Sequence, residues 1–420
     1  MAAVSSSPPS PPLPDPSPTT GEGRPARPSG WRRFGVLDLV RLGLLVLGLL
    51  FVLTGVLPTA VAVDSVARVS PLLLFLTAVI VLAELARRDG LFDVIATRVA
   101  ILGRGNYALL FALCLAFASL TTALFNLDTT AVLLTPVLLA LAARAGIAAL
   151  PLAMTTVWTA NTASLLLPVS NLTNLLAMDR AGLSTHEFAA RMWAPQLAAI
   201  AVTALFLWFG YWRRGARGAR RYEVPSPTPV GDRPLLWAAA TACLLFAVGV
   251  LAGAPVELVA TVAAALLVVA HVLRDRAALT STLIPWRLLV FVTGLFLVVP
   301  ALNELGLAAL LAPFAGEGAG SALRVAAVGA ALGNLVNNLP AYTAVEAVLP
   351  AGEPGLVLAL LIGTNVGVLV TPWASLATLL WLESCRRHGV RIAPVRFALL
   401  GGGLAVVATG AAVAALPAGG

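Results

Sequence analysis

The sequence contains no lysine: its 27 basic residues are all arginine. Charge of either sign is scarce, at 11% of residues, whereas a soluble domain carries roughly 25%. Hydrophobic residues make up 59% and the mean hydropathy is +0.94. Together these values exclude an ordinary soluble protein. The three cysteines, Cys114, Cys243 and Cys385, are far apart and odd in number, which excludes a disulfide framework and any thiol spacing suited to a metal. No HExxH, GxSxG or GxxxxGK[ST] motif is present, so neither a catalytic constellation nor a nucleotide loop can be pointed to, and no cofactor or metal is expected. Any pumping then has to draw on an ion gradient or on a separate ATPase. Short alternating strands are missing as well, which removes a β-barrel.

What the chain does have is a succession of long apolar runs from Val36 to Leu416. A bilayer core about 30 Å thick takes about 20 apolar residues per helical span, leaving room for roughly ten to twelve spans. The net charge of +8 would suggest nucleic acid in a soluble protein. Here the arginines stand between apolar runs, so they read as topology signals, and no nucleic-acid partner is expected. Residues 1–30 are rich in Pro, Ser and Gly and read as a disordered tail without a signal-peptide pattern. Arg24, Arg27, Arg32 and Arg33 precede the first run and would keep the N-terminus in the cytoplasm of a multi-pass inner-membrane protein. A basic, then Pro-rich stretch from Arg213 to Arg233 divides the rest into a first half (31–221), a cytoplasmic linker (222–233) and a second half (234–420). Trp31, Trp193, Trp212, Trp237 and Trp286 lie near run ends and read as an interfacial belt.

The two halves resemble each other. SPLLLFLTAVIVLAELARRDGL aligns without gaps with WRLLVFVTGLFLVVPALNELGL, with identities at Leu72, Leu73, Phe75, Thr77, Gly90 and Leu91. NTASLLLPVSNLTNLL, from Asn161, aligns with NVGVLVTPWASLATLL, from Asn365, sharing the Asn, a Pro seven residues later and a closing Leu-Leu. In the same order, Asn126 can face Asn337. The first of these runs ends on Arg87 and Arg88 whereas its mate starts at Arg287, so the halves read as inverted. Inverted repeats with a site between them are a signature of secondary transporters.

Polar residues persist in hydrocarbon only where protein or a water-filled cavity satisfies them. Four clusters qualify and pair across the halves: Asn126, Asp128, Thr129 and Thr130; Asn161, Thr162, Ser164, Pro168, Ser170, Asn171, Thr173 and Asn174; Asn334, Asn337, Asn338 and Pro340; Thr364, Asn365, Gly367, Thr371, Pro372 and Ser375. Each proline tends to break its helix, leaving half-helix ends at mid-membrane that supply N–H groups or carbonyls to a solute. A single Asn in a membrane helix is usually interhelical glue; two Asn-rich breaks at equivalent places read as a binding site. Asp128 has no arginine near it in sequence and is the proton-carrier candidate, against the alternative that it caps a helix or pairs with a distant arginine. His271 lies at a run end beside Arg274, where topology accounts for it.

At these residues the chain resembles a known family. NTASLLLPVSNLTNLL followed by GLSTHEFAARMWAP looks like the first broken-helix region of the ArsB arsenite/antimonite efflux carriers. VNNLPAYTAV and TPWASLATLLWLESCRRHGV look like that family's second-half motifs, and PWRLLVFVTGLFLV is similar to the start of its second repeat. The resemblance covers Val36 to Leu416 and extends to the ion-transporter superfamily, with its sodium-coupled anion carriers and NhaD antiporters. It implies an all-α polytopic membrane protein built of two inverted repeats with broken helices and re-entrant hairpins, working as an elevator-type carrier. It further implies efflux of arsenite or antimonite in exchange for protons, sometimes with a soluble ArsA-type ATPase, and a possible homodimer in the lipid bilayer. Asn126, Asp128, Asn161, Ser164, Ser170, Asn171, Thr173, Asn337, Asn338, Asn365 and Ser375 would line the site, with Asp128 coupling the proton. Two departures stand out. Where the family often has an acid, this chain has Asn161 and Asn365, and a basic residue in the second half is replaced by Val368 or Leu369.

Arsenite is a neutral trihydroxide near neutral pH and needs hydroxyl and amide partners, which suits Asn/Ser/Thr-rich clusters. No tri-thiol trap is present by spacing, so Cys114 is expected to be dispensable. The alternative is a sodium-coupled symporter of an inorganic or carboxylate anion. A passive channel or membrane scaffold would have no need of paired helix breaks.

Overall fold

The computed structural model describes residues 36–213, 221–314, 318 and 320–417. The expected tail, its arginines and Trp31 lie outside the described residues, as do residues 214–220 of the basic stretch. Among the described residues the fold is all-helical. The first half holds α1 (Val36–Leu53), α2 (Thr59–Arg88), α3 (Leu91–Leu102), α4 (Tyr107–Phe125), α5 (Leu127–Arg144), α6 (Ala149–Thr162), α7 (Leu172–Ala181) and α8 (Thr185–Leu207). The second holds α9 (Arg233–Leu251), α10 (Val256–Arg274), α11 (Trp286–Glu304), α12 (Leu307–Leu311), α13 (Ser321–Leu335), α14 (Asn338–Glu346), α15 (Pro354–Val366), α16 (Leu376–Arg387) and α17 (Pro394–Ala414).

Eight of these, some prolonged by the turns beside them, are long and apolar enough to cross a membrane. The remaining apolar helices include α1, of 18 residues, and the pairs α6/α7 and α15/α16, each run broken in its middle. The exposed apolar side chains, among them Leu53, Trp237, Leu399 and Val406, are those a bilayer would cover.

One element order occurs twice, in α2–α8 and in α11–α17. A long helix is followed by a short one that starts on a positive-φ glycine, Gly90 (φ 78°) or Gly306 (φ 102°). This accounts for the Gly identity in the aligned sequences, because a side chain is disfavoured in that conformation. Next come two helices joined at Asn126 or Asn337, then a helix broken in the middle (α6/α7 or α15/α16), then a long closing helix. The pair α4/α5 is a hairpin. Tyr107 at the start of α4 packs edge-on against Tyr222, and Glu223 N–H donates to Ala145 O just past the end of α5, at 3.1 Å.

The two sequence halves interlock. α1, α2, α9, α10 and α11 pack on one another, and α4–α8 pack on α13–α17. Each group therefore draws on both halves. α1 and α11 approach closely because they cross at Gly48 and Gly294; a Cβ on Gly294 would come within 2.6 Å of the Leu45 nitrogen. Small residues allow this approach where lipid provides no hydrophobic drive between helices. The same occurs where α15 crosses α13, at Gly363 against the Ala326 carbonyl.

The C-terminal ends of α2, α5, α10 and α16 lie at one end of the molecule together with the starts of α1, α11 and α17. That end carries Arg41, Arg87, Arg88, Arg144, Arg274, Arg287, Arg386 and Arg391. Arg88 at the end of α2 reaches Ala278 O beyond α10. Residues 221–232 are an ordered strap across this end and not a free linker. The Tyr222 hydroxyl donates to Ala100 O at 2.6 Å, and Arg144 binds Thr228 and the Ser226 carbonyl.

Two sequence expectations are corrected here. Trp212 is fully buried and its indole N–H donates to Thr155 Oγ1 at 2.9 Å, because a π turn at Trp208–Trp212 swings the ring inward. His271 is buried as well. Its Nδ1 meets the Leu267 carbonyl at 3.0 Å and its Nε2 lies 3.2 Å from Asp89 Oδ1. A carbonyl only accepts, so Nδ1 carries a proton and this face of α10 holds a buried charged or proton-sharing pair. Topology is not the reason for His271.

Candidate functional site

The hairpin tips are the first structural anomaly. Asn126 (φ 68°) and Asn337 (φ 155°) are non-glycine residues with positive φ, at equivalent places in the two halves. Such conformations cost of order 1–3 kcal/mol and persist where the surroundings impose them, often at functional sites. Both side chains cap the helix that follows. Asn126 Oδ1 accepts from Thr129 N at 2.9 Å, and Asn337 Oδ1 accepts from Leu339 N at 3.4 Å.

Each tip is tied to a break in its own half. Ser170 Oγ donates to Ala123 O at 3.2 Å beside the first tip. Asn337 Nδ2 donates to Trp373 O at 2.9 Å, and Asn338 N to Ala374 O at 2.8 Å. Buried polar groups brace the breaks from outside. Gln196 Oε1 accepts from Leu165 N, and Asn334 Oδ1 accepts from Val370 N and Thr371 N. The backbone groups freed by Pro168 and Pro372 are thereby satisfied, as a membrane interior requires.

The broken helices cross one another by reciprocal bonds. Asn365, at the end of α15, accepts from Asn171 Nδ2 (2.9 Å) and Thr173 Oγ1 (2.8 Å) and donates to Asn174 Oδ1 (2.8 Å), all at the start of α7. Asn161, at the end of α6, donates to Thr378 Oγ1 at 3.4 Å at the start of α16, where Ser375 is the N-cap. The aligned sequences match Asn161 with Asn365, Asn171 with Ser375 and Asn174 with Thr378, so the same contact is made twice. A carboxylate in place of Asn365 could accept both bonds but could not donate to Asn174.

This geometry sorts the expected site residues. Asn161, Ser164, Ser170, Thr173, Asn365 and Ser375 are fully buried in the crossing and use their polar atoms mainly on each other and on backbone. Asn161 Oδ1 and Thr129 Oγ1 accept nothing from the protein. Asn126, Asp128, Asn171, Asn337 and Asn338 instead surround a cavity of about 30 Å³ between the tips, closed by Leu76 of α2 and Leu288, Phe291 and Val292 of α11. It exceeds the roughly 10–15 Å³ that a single water needs.

Asp128 borders a second cavity of about 300 Å³ that leads toward the arginine-rich end, past Arg41, Glu84, Thr282 and Arg287. Its carboxylate faces the Ala377 N–H at the start of α16 and the charge of Arg41. Both halves of the sequence alternative for Asp128 are thus met in part: it lies at a helix N-terminus and looks toward a distant arginine. Arg41 and Arg287 both bind Asp38, at 2.8 and 2.9 Å, and Glu84 binds Arg87 and Arg88. Arg41 was not legible in the sequence, because only the α1–α11 packing brings it to Asp128. Cys114 is buried in α4 and does not line either cavity.

At the opposite end, Arg68 of α2 bridges Asp179 at the end of α7 (3.2 Å) and buried Glu346 at the end of α14 (3.1 Å). These residues, with Ser65, Asn303 and Thr343, border a cavity of about 530 Å³. Among the described residues no group of His, Cys, Asp and Glu is arranged to hold a metal ion.

Comparison with known proteins is consistent with a carrier. The family model described as citrate transporter (CitMHS) matches residues 34–363. An arsenical pump membrane protein of Escherichia coli K12 is 30% identical over 341 residues, covering 75% of this chain and 78% of that protein. A second Escherichia coli arsenical pump membrane protein is 31% identical over 350 residues with the same coverage. In fold, the chain is similar to the crystal structure of the Alcanivorax borkumensis YdaH transporter, described as having an unusual topology. The TM-score is 0.55 at 16% identity, over 90% of this chain and 95% of that one.

Proposed function

The chain belongs to the citrate transporter family (CitMHS), among the ArsB-type relatives of the arsenical pump membrane proteins, and from that premise we propose that it exports arsenite or antimonite across the inner membrane in exchange for protons. The observation that carries the proposal is the cavity between the two strained tips, where four carboxamides and one carboxylate meet. A neutral trihydroxide donates and accepts through its hydroxyls and needs no counter-charge. Asn126, Asn171, Asn337 and Asn338 offer both donors and acceptors, and ionised Asp128 accepts two hydroxyl hydrogens strongly. A proton on Asp128 takes an acceptor away. Solute binding and protonation then weaken one another, which is the coupling that exchange requires.

The arginine-rich end is the cytoplasmic one in this reading. The two repeats are then inverted, with α4/α5 entering from the cytoplasm and α13/α14 from outside. The group α4–α8 with α13–α17 moves as an elevator against α1, α2 and α9–α11. The cavity past Arg41 and Arg287 leads from Asp128 toward the arginine-rich end, and the Arg68 bridges join α2 to α7 and α14 at the other.

A second reading, sodium-coupled transport of a carboxylate anion, draws on the family description and on the two arginines beside Asp128. Asp38 pairs with both arginines and Asp128 adds a second carboxylate beside them, which favours the neutral solute. The test is metalloid sensitivity in a bacterial host lacking its own exporter. Expression should lower intracellular arsenic, and a protonophore should abolish the effect. No change despite membrane insertion, with sodium-dependent anion uptake instead, would move the assignment to the second reading.

A further inference from the structure

α16 and α17 are consecutive, yet they do not pack side by side. α16 lies on α5 and α6, while α17 lies on α8 and α15. The two touch through the stacked rings of Trp381 and Phe397, 5.8 Å apart. Between them runs a crevice of about 940 Å³, far larger than the cavity at the tips. Its walls are apolar: Trp373, Trp381, Leu382, Val390, Ile392 and Phe397. It extends from the second helix break at Val370–Trp373 to the loop before α17. α16 has 12 residues. At 1.5 Å per residue that is about 18 Å, close to the roughly 15 Å of one leaflet of a 30 Å core.

The mouth of the crevice is charged on one side only. Arg386 and Arg391 line it, and both are exposed. Neighbouring cations are committed: Arg387 binds Glu383 at 2.9 Å, and Arg396 donates to Gly210 O and lies over the Tyr211 ring. The guanidinium groups of Arg386 and Arg391 make no ion pair or hydrogen bond among the described residues. A one-leaflet apolar slot under two uncommitted guanidinium groups is complementary to an amphiphile with an anionic head. Guanidinium groups match phosphate oxygens in geometry, and basic pockets between membrane helices suit anionic headgroups.

We propose that the α16–α17 crevice is a binding site for one anionic glycerophospholipid, its phosphate on Arg386 and Arg391 and an acyl chain along Trp373 and Leu382. The site lies on the face of α16 away from Asp128, and it stands whichever solute the carrier moves. A lipid there would fill the gap between the helix that carries Ser375 and Thr378 and the helix that closes the second repeat.

Tryptophan quenching tests this without any transport assay. The purified chain is reconstituted in phosphatidylcholine bilayers containing a rising share of brominated phosphatidylglycerol. A saturable quenching component should appear at a few mole percent, above the linear background of the lipid-facing tryptophans. Brominated phosphatidylcholine should give the background alone. Arg386→Gln with Arg391→Gln should remove the saturable component, and Trp373→Phe should reduce its amplitude; all three positions are exposed, so the fold is kept. Equal quenching by the two brominated lipids, or a saturable component that survives the double arginine substitution, would overturn the proposal.

Discussion

Asn126 does two things that different substitutions can separate. Its backbone takes a positive φ at the hairpin tip, and its side chain caps α5 and faces the cavity. Alanine removes the cap, which costs about 1 kcal/mol, and leaves a Cβ in a conformation that costs of order 1–3 kcal/mol. Glycine relieves the backbone but still lacks the carboxamide. Asn126→Ala should therefore lower thermal stability and transport together, whereas Asn126→Gly should keep most of the stability and lose solute affinity. Paired melting and binding measurements check this; equal behaviour of the two variants would show that the tip conformation is not under strain. The residues most legible in the sequence were of this kind, polar groups in apolar runs whose equivalents recur in the second half. What sequence could not separate was lining from bracing. Asn161 and Asn365 have the same composition and context as Asn126 and Asn337, yet their polar atoms are largely spent on the opposite repeat, because the crossing of α6/α7 with α15/α16 is a long-range contact.

At the scale of elements, the breaks at Pro168 and Pro372 were readable from proline in Asn/Ser-rich runs, and the duplicated order of elements was readable from three aligned segments. The strap over 221–232 was not. Its Pro-rich composition reads as a free linker, and only the docking of Tyr222 and Thr228 on α3 and α5 fixes it. Arg68 was missed for the same reason: nothing near it in sequence announces that it joins α2 to both α7 and α14. Glu346 is buried and hydrogen-bonded to Arg68 across 278 residues. Removing Arg68 leaves the buried Glu346 carboxylate without that partner, while removing both charges is milder. Arg68→Gln should lower the melting temperature of the purified protein, and Glu346→Gln added to it should recover most of that loss. Additive losses in the double variant would mean that the two side chains do not act as a pair.

For the whole molecule, packing divides the helices into two groups, the second of which carries the tips and the breaks. α2 and α11 wall the site cavity from one side while the tips and breaks wall it from the other. If the second group moves, a covalent link between the groups must stop transport even though both stay folded. Ser65 of α2 and Thr343 of α14 border the same cavity at the end opposite the arginine-rich one. Replacing both with cysteine in a chain lacking Cys114, Cys243 and Cys385, then cross-linking, should arrest efflux reversibly, with recovery on reduction. Full transport by the cross-linked protein would rule out relative movement at that face.

The proposed coupling rests on the Asp128 carboxylate, where protonation and solute binding oppose each other. Everted membrane vesicles with an acid interior test it most directly, because they expose the arginine-rich face, assigned here to the cytoplasm, to added arsenite. The wild-type chain should accumulate arsenite in proportion to the pH gradient. Asp128→Asn keeps the size and one acceptor of the side chain but cannot take up a proton, so it should lose gradient-driven accumulation while still exchanging labelled for unlabelled arsenite. Undiminished accumulation by Asp128→Asn, at equal protein level and melting temperature, would contradict the account.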